Sequence, residues 1–357
     1  MQFKKFYFLL LFCSFCISGF AKDEAKKYYK YLHKAESAII DDDFNKASIN
    51  FSKAFEYLEY PFPNDLLAAS ICMLKSKNID VELLRKWNYL YSIQTNTTIE
   101  DKIQSIDLYT GTLYHNKLTT KLWKDIIKKP NLNLVADTSI RDIFVEIHRK
   151  DQGIRREMDE KYGTQKYWIE DAKNKIIKVD SINLIKIDSI ISLENFSEFM
   201  IGDFGTGTIF LSLLHNAAWQ KEEVYEVSEK LFELVKKGRI DNRRFAHTFD
   251  RFCDFIDLNS SPILECIKGY YFAENMYWIY EKHHTYLAFN NEELKVINKR
   301  RKEIYLTTVG EWAERLSYQI KKENLFFIKG NQWGNLPEEN LKKIERLIDK
   351  GVLIDIR

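Results

Sequence analysis

Asp41-Asp42-Asp43-Phe44-Asn45-Lys46-Ala47-Ser48-Ile49-Asn50-Phe51-Ser52-Lys53-Ala54-Phe55-Glu56-Tyr57-Leu58 is the stretch that decides the fold. Phe44, Ala47, Phe51, Ala54, Phe55 and Leu58 recur at intervals of three and four, which lines them on one face of a helix. The three aspartates before them interrupt the preceding pattern and can cap a new helix, because a short carboxylate accepts from free N–H groups of the first turn. Upstream, Ala25 to Ile40 has the same periodicity in Tyr28, Tyr31, Leu32, Ala35 and Ile39. Pro61 and Pro63 close the pair, since proline cannot continue a helix from within.

The small residues Ala35, Ala47 and Ala54, with the aromatic Tyr31 and Phe51, resemble one tetratricopeptide unit. Small side chains let paired helices approach, and aromatics fill the gaps. Asp65 to Lys77 with Val81 to Ser92 predicts a second helix pair of weaker pattern. Ile99 to Tyr114 and Leu118 to Lys128 predict two further helices. Fewer than about three clear repeats seldom stand alone, so this part is expected to lean on its neighbour.

Lys129-Pro130-Asn131-Leu132-Asn133 breaks the periodicity and is read as a domain boundary. Beyond it, helices are expected at Ser139 to Lys161, Asp180 to Leu193, Thr208 to Ala218, Glu222 to Lys237 ending at Gly238, and Asp241 to Leu258. Two more follow, from Glu292 and from Thr308 to Lys321. Ile201-Gly202-Asp203-Phe204-Gly205-Thr206-Gly207-Thr208 reads as a glycine-bearing loop. The aromatic run through Tyr270, Tyr271, Phe272, Tyr277, Trp278 and Tyr280 does not decide between helix and strand. The organisation is therefore all-α: a tetratricopeptide-like helical part over 22–130, a larger helical domain over 138–321 and a helical extension over 322–357.

The chain has 357 residues, enough for two domains, with 45% hydrophobic and 30% charged residues, which is globular. Only 13 Gly and 5 Pro are present, and a sheet-rich chain needs more turn residues than that. A formal charge of +2 with dispersed basic residues leaves no footprint for nucleic acid. Met1-Gln2-Phe3-Lys4-Lys5, the uncharged apolar run Phe6 to Phe20 and the small residues around Ala21 form the layout of a secretory signal peptide over 1–21. The mature chain is then expected to be periplasmic or secreted, without a membrane span. Cys13 and Cys16 leave with that leader. Cys72, Cys253 and Cys266 remain, an odd number that leaves at least one thiol free or paired between chains.

Three constellations could carry chemistry. Asp151-Gln152 stands one turn before Arg155, a spacing at which side chains meet on a helix. His215 lies inside the apolar run Leu211-Ser212-Leu213-Leu214-His215-Asn216-Ala217, and a histidine buried there needs a partner. Asp250-Arg251 sits between Phe249 and Phe252, which suggests a partly buried ion pair. His148 with Asp151, and His247 with Asp250, are also spaced one turn apart, and His215 could complete a metal set on facing helices. Such pairs arise readily by chance, so no metal is assigned. The glycine stretch lacks the Lys-Ser/Thr ending of a phosphate loop and the spacing of a dinucleotide fold, so no cofactor is assigned either.

Taken in order, Asp151-Gln152-x-x-Arg155, the helix from Asp180, Gly202, Leu214-His215-Asn216-Ala217, Asp250-Arg251 and Asn298-Lys299-Arg300-Arg301 resemble the bacterial family catalogued as domain of unknown function 6624, over about 140–316. Its members tend to carry Gln where this chain has Leu214, and a Gly/Tyr/Gln-rich strip in place of its aromatic run. The resemblance implies a shortlist: His215, Asp151 and Asp250 as catalytic candidates, and Gln152, Arg155, Arg251 and Arg301 as ligand-binding candidates. The sequence favours a non-catalytic envelope protein that binds a protein or peptide through its N-terminal repeat. The alternative is a hydrolase or small-molecule-binding enzyme with His215 as general base.

Overall fold

A computed structural model gives the architecture. It describes residues 23–110, 116, 118–130, 138–164, 166, 169–217, 223–254, 272–273, 277–280, 283–287, 289–321, 331–332 and 353–355. The expected leader, the boundary segment from Asn131, and Cys266 lie outside the described residues, as does the side chain of Cys253.

Helices dominate, and the all-α expectation holds. The first hairpin is α1 over residues 23–40 and α2 over Phe44–Ala54. Asp43 caps α2 as its position suggests, its side chain accepting from the Lys46 N–H at 3.0 Å. Then come α3 (Pro63–Lys75), with proline in its first turn, and α4 (Val81–Thr95), capped by Asp80 and ended by Asn96 in the left-handed region. They are followed by α5 (Ile99–Thr110) and α6 (Thr120–Ile126). The long pair α7 (Thr138–Tyr162) and α8 (Glu170–Ile191) precedes α9 (Glu198–Ala217), α10 (Glu223–Lys236) and α11 (Asn242–Asp254).

The glycine stretch is not a loop. It runs inside α9, and only Gly202 departs from helical geometry, with φ 69 and ψ −179. Gly205 and Gly207 continue the helix. The kink is fixed from outside by Arg141 of α7. Its guanidinium donates to the carbonyls of Phe199 and Met200, before the kink, and to Ile93 near the end of α4, at 3.0, 3.1 and 2.7 Å.

The chain divides into two compact units, Met1–Phe245 and Ala246–Arg357, with α11 running across the division. This differs from the boundary expected near Lys129-Pro130. The helical hairpins and α7–α10 form one body because α4 packs on α9 as well as on α3. Tyr60 also stacks on Phe199 at 3.8 Å, and the Arg141 clamp adds its three bonds.

The second unit holds α12 (Asn291–Glu303) and α13 (Val309–Lys321). It also holds a small sheet of β1 (Tyr277–Tyr280), β2 (His283–Leu287), β3 (Asn331–Gln332) and β4 (Leu353–Asp355), in the order β3-β1-β2-β4. β1 and β2 are antiparallel, with Tyr277 opposite Tyr286. β3 joins β1 in parallel, and β4 joins β2 antiparallel. The part of the aromatic run from Tyr277 to Tyr280 is thus a strand. His283 and His284 lie on β2, and the apolar end at Leu353 and Ile354 is a strand rather than part of a helical extension. Among the described residues no helix is long and apolar enough to cross a membrane.

Candidate active site

Three helices of the first unit each place a polar residue where their periodicity calls for an apolar one. On α7 the buried positions are Phe144, Ile147, Asp151 and Met158. On α8 they are Ala172, Ile176, Asp180, Asn183, Leu184, Ile187 and Ile191. On α9, Ser212, Leu213 and Asn216 are buried beside His215. Because α7, α8 and α9 pack against one another, these side chains are brought together. Buried polar groups must find partners, and here they find each other.

His215 Nδ1 lies 2.8 Å from Asp151 Oδ1. The same oxygen accepts from Arg155 Nη1 at 2.8 Å, and Oδ2 accepts from Gln152 Nε2 at 2.6 Å. Arg155 also forks onto Asp180, Nη1 to Oδ1 at 3.1 Å and Nη2 to Oδ2 at 2.9 Å. Asn216 Nδ2 donates to the main-chain carbonyl of Asp180 at 3.1 Å and to that of Ser212 at 2.9 Å. Exposure is graded: the Asp151 side chain is 2% exposed, Arg155 12% and His215 23%. The carboxylate lies at the bottom of the set and the imidazole reaches towards solvent.

Burial pushes the Asp151 carboxyl up, but the His215 hydrogen bond, the charges of His215 and Arg155 and the Gln152 bond outweigh it, holding the group below its ordinary value. Asp151 is therefore a carboxylate and can only accept. In the neutral ring the proton then sits on Nδ1, and Nε2 keeps its lone pair. This is the arrangement of a base and its orienting carboxylate.

Asp151, Asp180 and His215 offer ligand atoms within 4.8 Å of one another, a spacing that could admit a metal ion. Arg155 Nη1 already lies against both carboxylates, however, in the space a cation bridging them would take. The trio is accordingly read as an acid–base and ion-pair set, not as ligands. His148, on α7 one turn before Asp151, packs edge-on against Phe204 at 5.1 Å.

The structure thus joins His215, Asp151, Gln152 and Arg155 from the sequence shortlist. It revises the role of Arg155: with Nη1 and Nη2 committed to Asp151 and Asp180, it braces the carboxylates instead of binding a ligand. Asp250 and Arg301 belong to the second unit and act on one residue there. Asp250 Oδ1 accepts from the Phe272 N–H at 2.7 Å, while Arg301 donates to the Phe272 and Thr307 carbonyls. Both are fully buried, and these bonds hold the chain around Phe272. Arg251 lies on α11, and its side chain is outside the described residues. Sequence reasoning missed Asp180. The signal was present: a carboxylate at helical spacing between Ile176 and Leu184 in an apolar face.

Comparison of the chain with protein-family models, with curated proteins and with solved structures found no match.

Proposed function

We propose that the chain is a hydrolase-type enzyme in which His215 is the general base and Asp151 its orienter. The observation that carries this reading is the 2.8 Å bond from His215 Nδ1 to Asp151 Oδ1, made by a ring that keeps 23% exposure over a carboxylate exposed to 2%. Water is the nucleophile. Nε2 takes one of its protons as the water oxygen bonds to an electrophilic carbon or phosphorus, the bond from that atom to the leaving group breaks with its electron pair going to the leaving group, and the imidazolium gives that group the proton.

The reading of α1–α4 as a partner-binding face ranks below this one. α1 spends Ala25, Tyr28, Tyr29, Leu32, Ala35, Ala38 and Ile39 on buried positions, so much of its surface serves the first unit's own interior. The leader-like residues 1–21 support a place outside the cytoplasm, and a mature N-terminus at Lys22, read by mass spectrometry on cell fractions, is the expected outcome.

The full chain and His215→Ala are assayed against chromogenic carboxylic ester, phosphoester and amide substrates. One class should be hydrolysed, with a rate that rises with pH as the imidazole loses its proton and falls by about 100-fold or more in the variant. An inert parent chain, or equal rates for parent and variant, overturns the reading.

A further inference from the structure

We propose that Arg155 and Asp180 form a charge-setting pair that positions the Asp151–His215 dyad and governs when His215 takes up a proton. The pair deepens the hydrolase reading by naming how its base would be regulated, and to that extent rests on it.

The geometry is that of a relay. One guanidinium nitrogen, Arg155 Nη1, bonds to Asp151 Oδ1, to the Asp151 carbonyl and to Asp180 Oδ1, at 2.8, 3.1 and 3.1 Å. Nη2 completes the fork on Asp180 Oδ2. A two-pronged guanidinium–carboxylate contact fixes direction as well as distance, so Asp180 aims Arg155, and Arg155 holds the oxygen that His215 uses. Asp180 also reaches the dyad from its other side: its carbonyl accepts from Asn216, the residue next to His215. A single position on α8 is therefore tied to both helices that carry the dyad. The Asp180 side chain is fully buried and forks with Arg155, which in turn bonds to Asp151, so both are argued to act through Asp151 as positioning residues.

The charges give the proposal its sign. Among the described residues, Asp151 and Arg155 from α7 and Asp180 from α8 are the charged groups gathered at His215. α4 and α10, which also pack on α9, add no ion pair to the set among the described residues. With a neutral imidazole the set carries one net negative charge, and protonation of the ring neutralises it. Replacing Asp180 by Asn removes one negative charge, so the imidazolium loses support and the titration midpoint of His215 falls. Replacing Arg155 by Gln leaves two carboxylates without their cation, so the midpoint rises. A brace that served packing alone gives no reason for the midpoint to move in opposite directions in the two variants.

The test is an NMR titration of the full chain with isotope-labelled histidine, the His215 signal being assigned by its loss in His215→Ala; the chain has 7 His in all. Relative to the parent, Asp180→Asn should move the midpoint down and Arg155→Gln up, each by about half a pH unit or more. Where Arg155→Gln does not fold, Arg155→Lys replaces it. The lysine keeps the charge, so its midpoint should stay near the parent's while that of Asp180→Asn falls. Shifts of the same sign in Asp180→Asn and Arg155→Gln, or a midpoint unmoved in Asp180→Asn, overturn the proposal. No substrate is present, so the result is independent of the hydrolase reading: an inert chain with opposed shifts sinks the enzyme and keeps the pair.

Discussion

Arg155 is held by bonds to two buried carboxylates, Asp151 and Asp180. Its guanidinium offsets two buried carboxylates, and taking it away leaves both uncompensated. Removing one partner from a buried pair typically costs about 3–5 kcal/mol. Arg155→Met is therefore expected to lower the unfolding free energy by about that amount in urea titrations, well beyond what the exposed Lys295–Glu292 pair would show. Gly202 is constrained for a different reason. Its φ is 69, and a Cβ there would lie 2.8 Å from the main-chain oxygen of Gln94. Backbone cannot step aside as a flexible side chain can, so Gly202→Ala should cost about 2–4 kcal/mol, seen as a lower denaturant midpoint. At this scale the sequence was legible in part. Asp151 and His215 stood out because each is polar inside an apolar rhythm, and Asp180 had the same signature within Ile176 to Leu184. Asp250 and Arg301 have it too, yet serve Phe272 in the other unit. Periodicity says that a polar side chain is buried; it does not say which other one it meets.

At the scale of the element, the three-and-four rhythm located the helices well and their limits less well. α8 begins at Glu170, ten residues before the expected Asp180, because its first turns carry mixed residues whose buried members, Ala172 and Ile176, are too sparse to read as a face. Three glycines in six residues suggest a loop, so the sequence places the start of α9 at Thr208. Only Gly202 breaks the helix, and Arg141, far away in sequence, determines where. The short strands of the second unit were not legible: β1 comes from an aromatic run with neither a two-residue nor a helical rhythm, β2 follows just after it, and β3 contributes only two residues. Of the caps, the one among Asp41 to Asp43 was readable and that at Asn290 was not. Asp43 satisfies a first-turn N–H of α2, and Asn290 forms a reciprocal capping box with Glu293 on α12. Asp43→Ala should cost about 1 kcal/mol, measured by thermal unfolding of the full chain.

At the scale of the whole molecule, a second set of buried acids gives the first unit a dependence on pH. Asp65 of α3 accepts from the Tyr28 hydroxyl of α1 at 2.5 Å. Burial pushes its carboxyl up, the charges of Asp241 and Glu198 push it further, and the Tyr28 bond pulls back, leaving it at about 8. Glu198, at the start of α9, is raised by burial and by Asp241 against the pull of Arg244, to about 7. Both folded values exceed the unfolded ones near 4, so the folded state holds these protons more tightly. That stability is complete below about pH 4 and is lost as the pH rises through 7 and 8. The parent chain should lose a few kcal/mol between about pH 5 and about pH 9 in urea titrations, and Asp65→Asn, neutral throughout, should lose less. Equal losses in the two chains would remove Asp65 from the account.

The pairing of Glu36 on α1 with Arg243 on α11 spans 207 positions of sequence. During synthesis the first helices emerge long before their partner does, and Glu36, 2% exposed in the finished unit, has no Arg243 to meet until nearly seven-tenths of the chain has been made. Contacts this distant along the chain slow folding, because a long loop must close before they contribute. The opening hairpin is thus legible first and completed late, and a nascent chain halted before residue 243 carries Glu36 without the Arg243 that pairs with it in the finished unit.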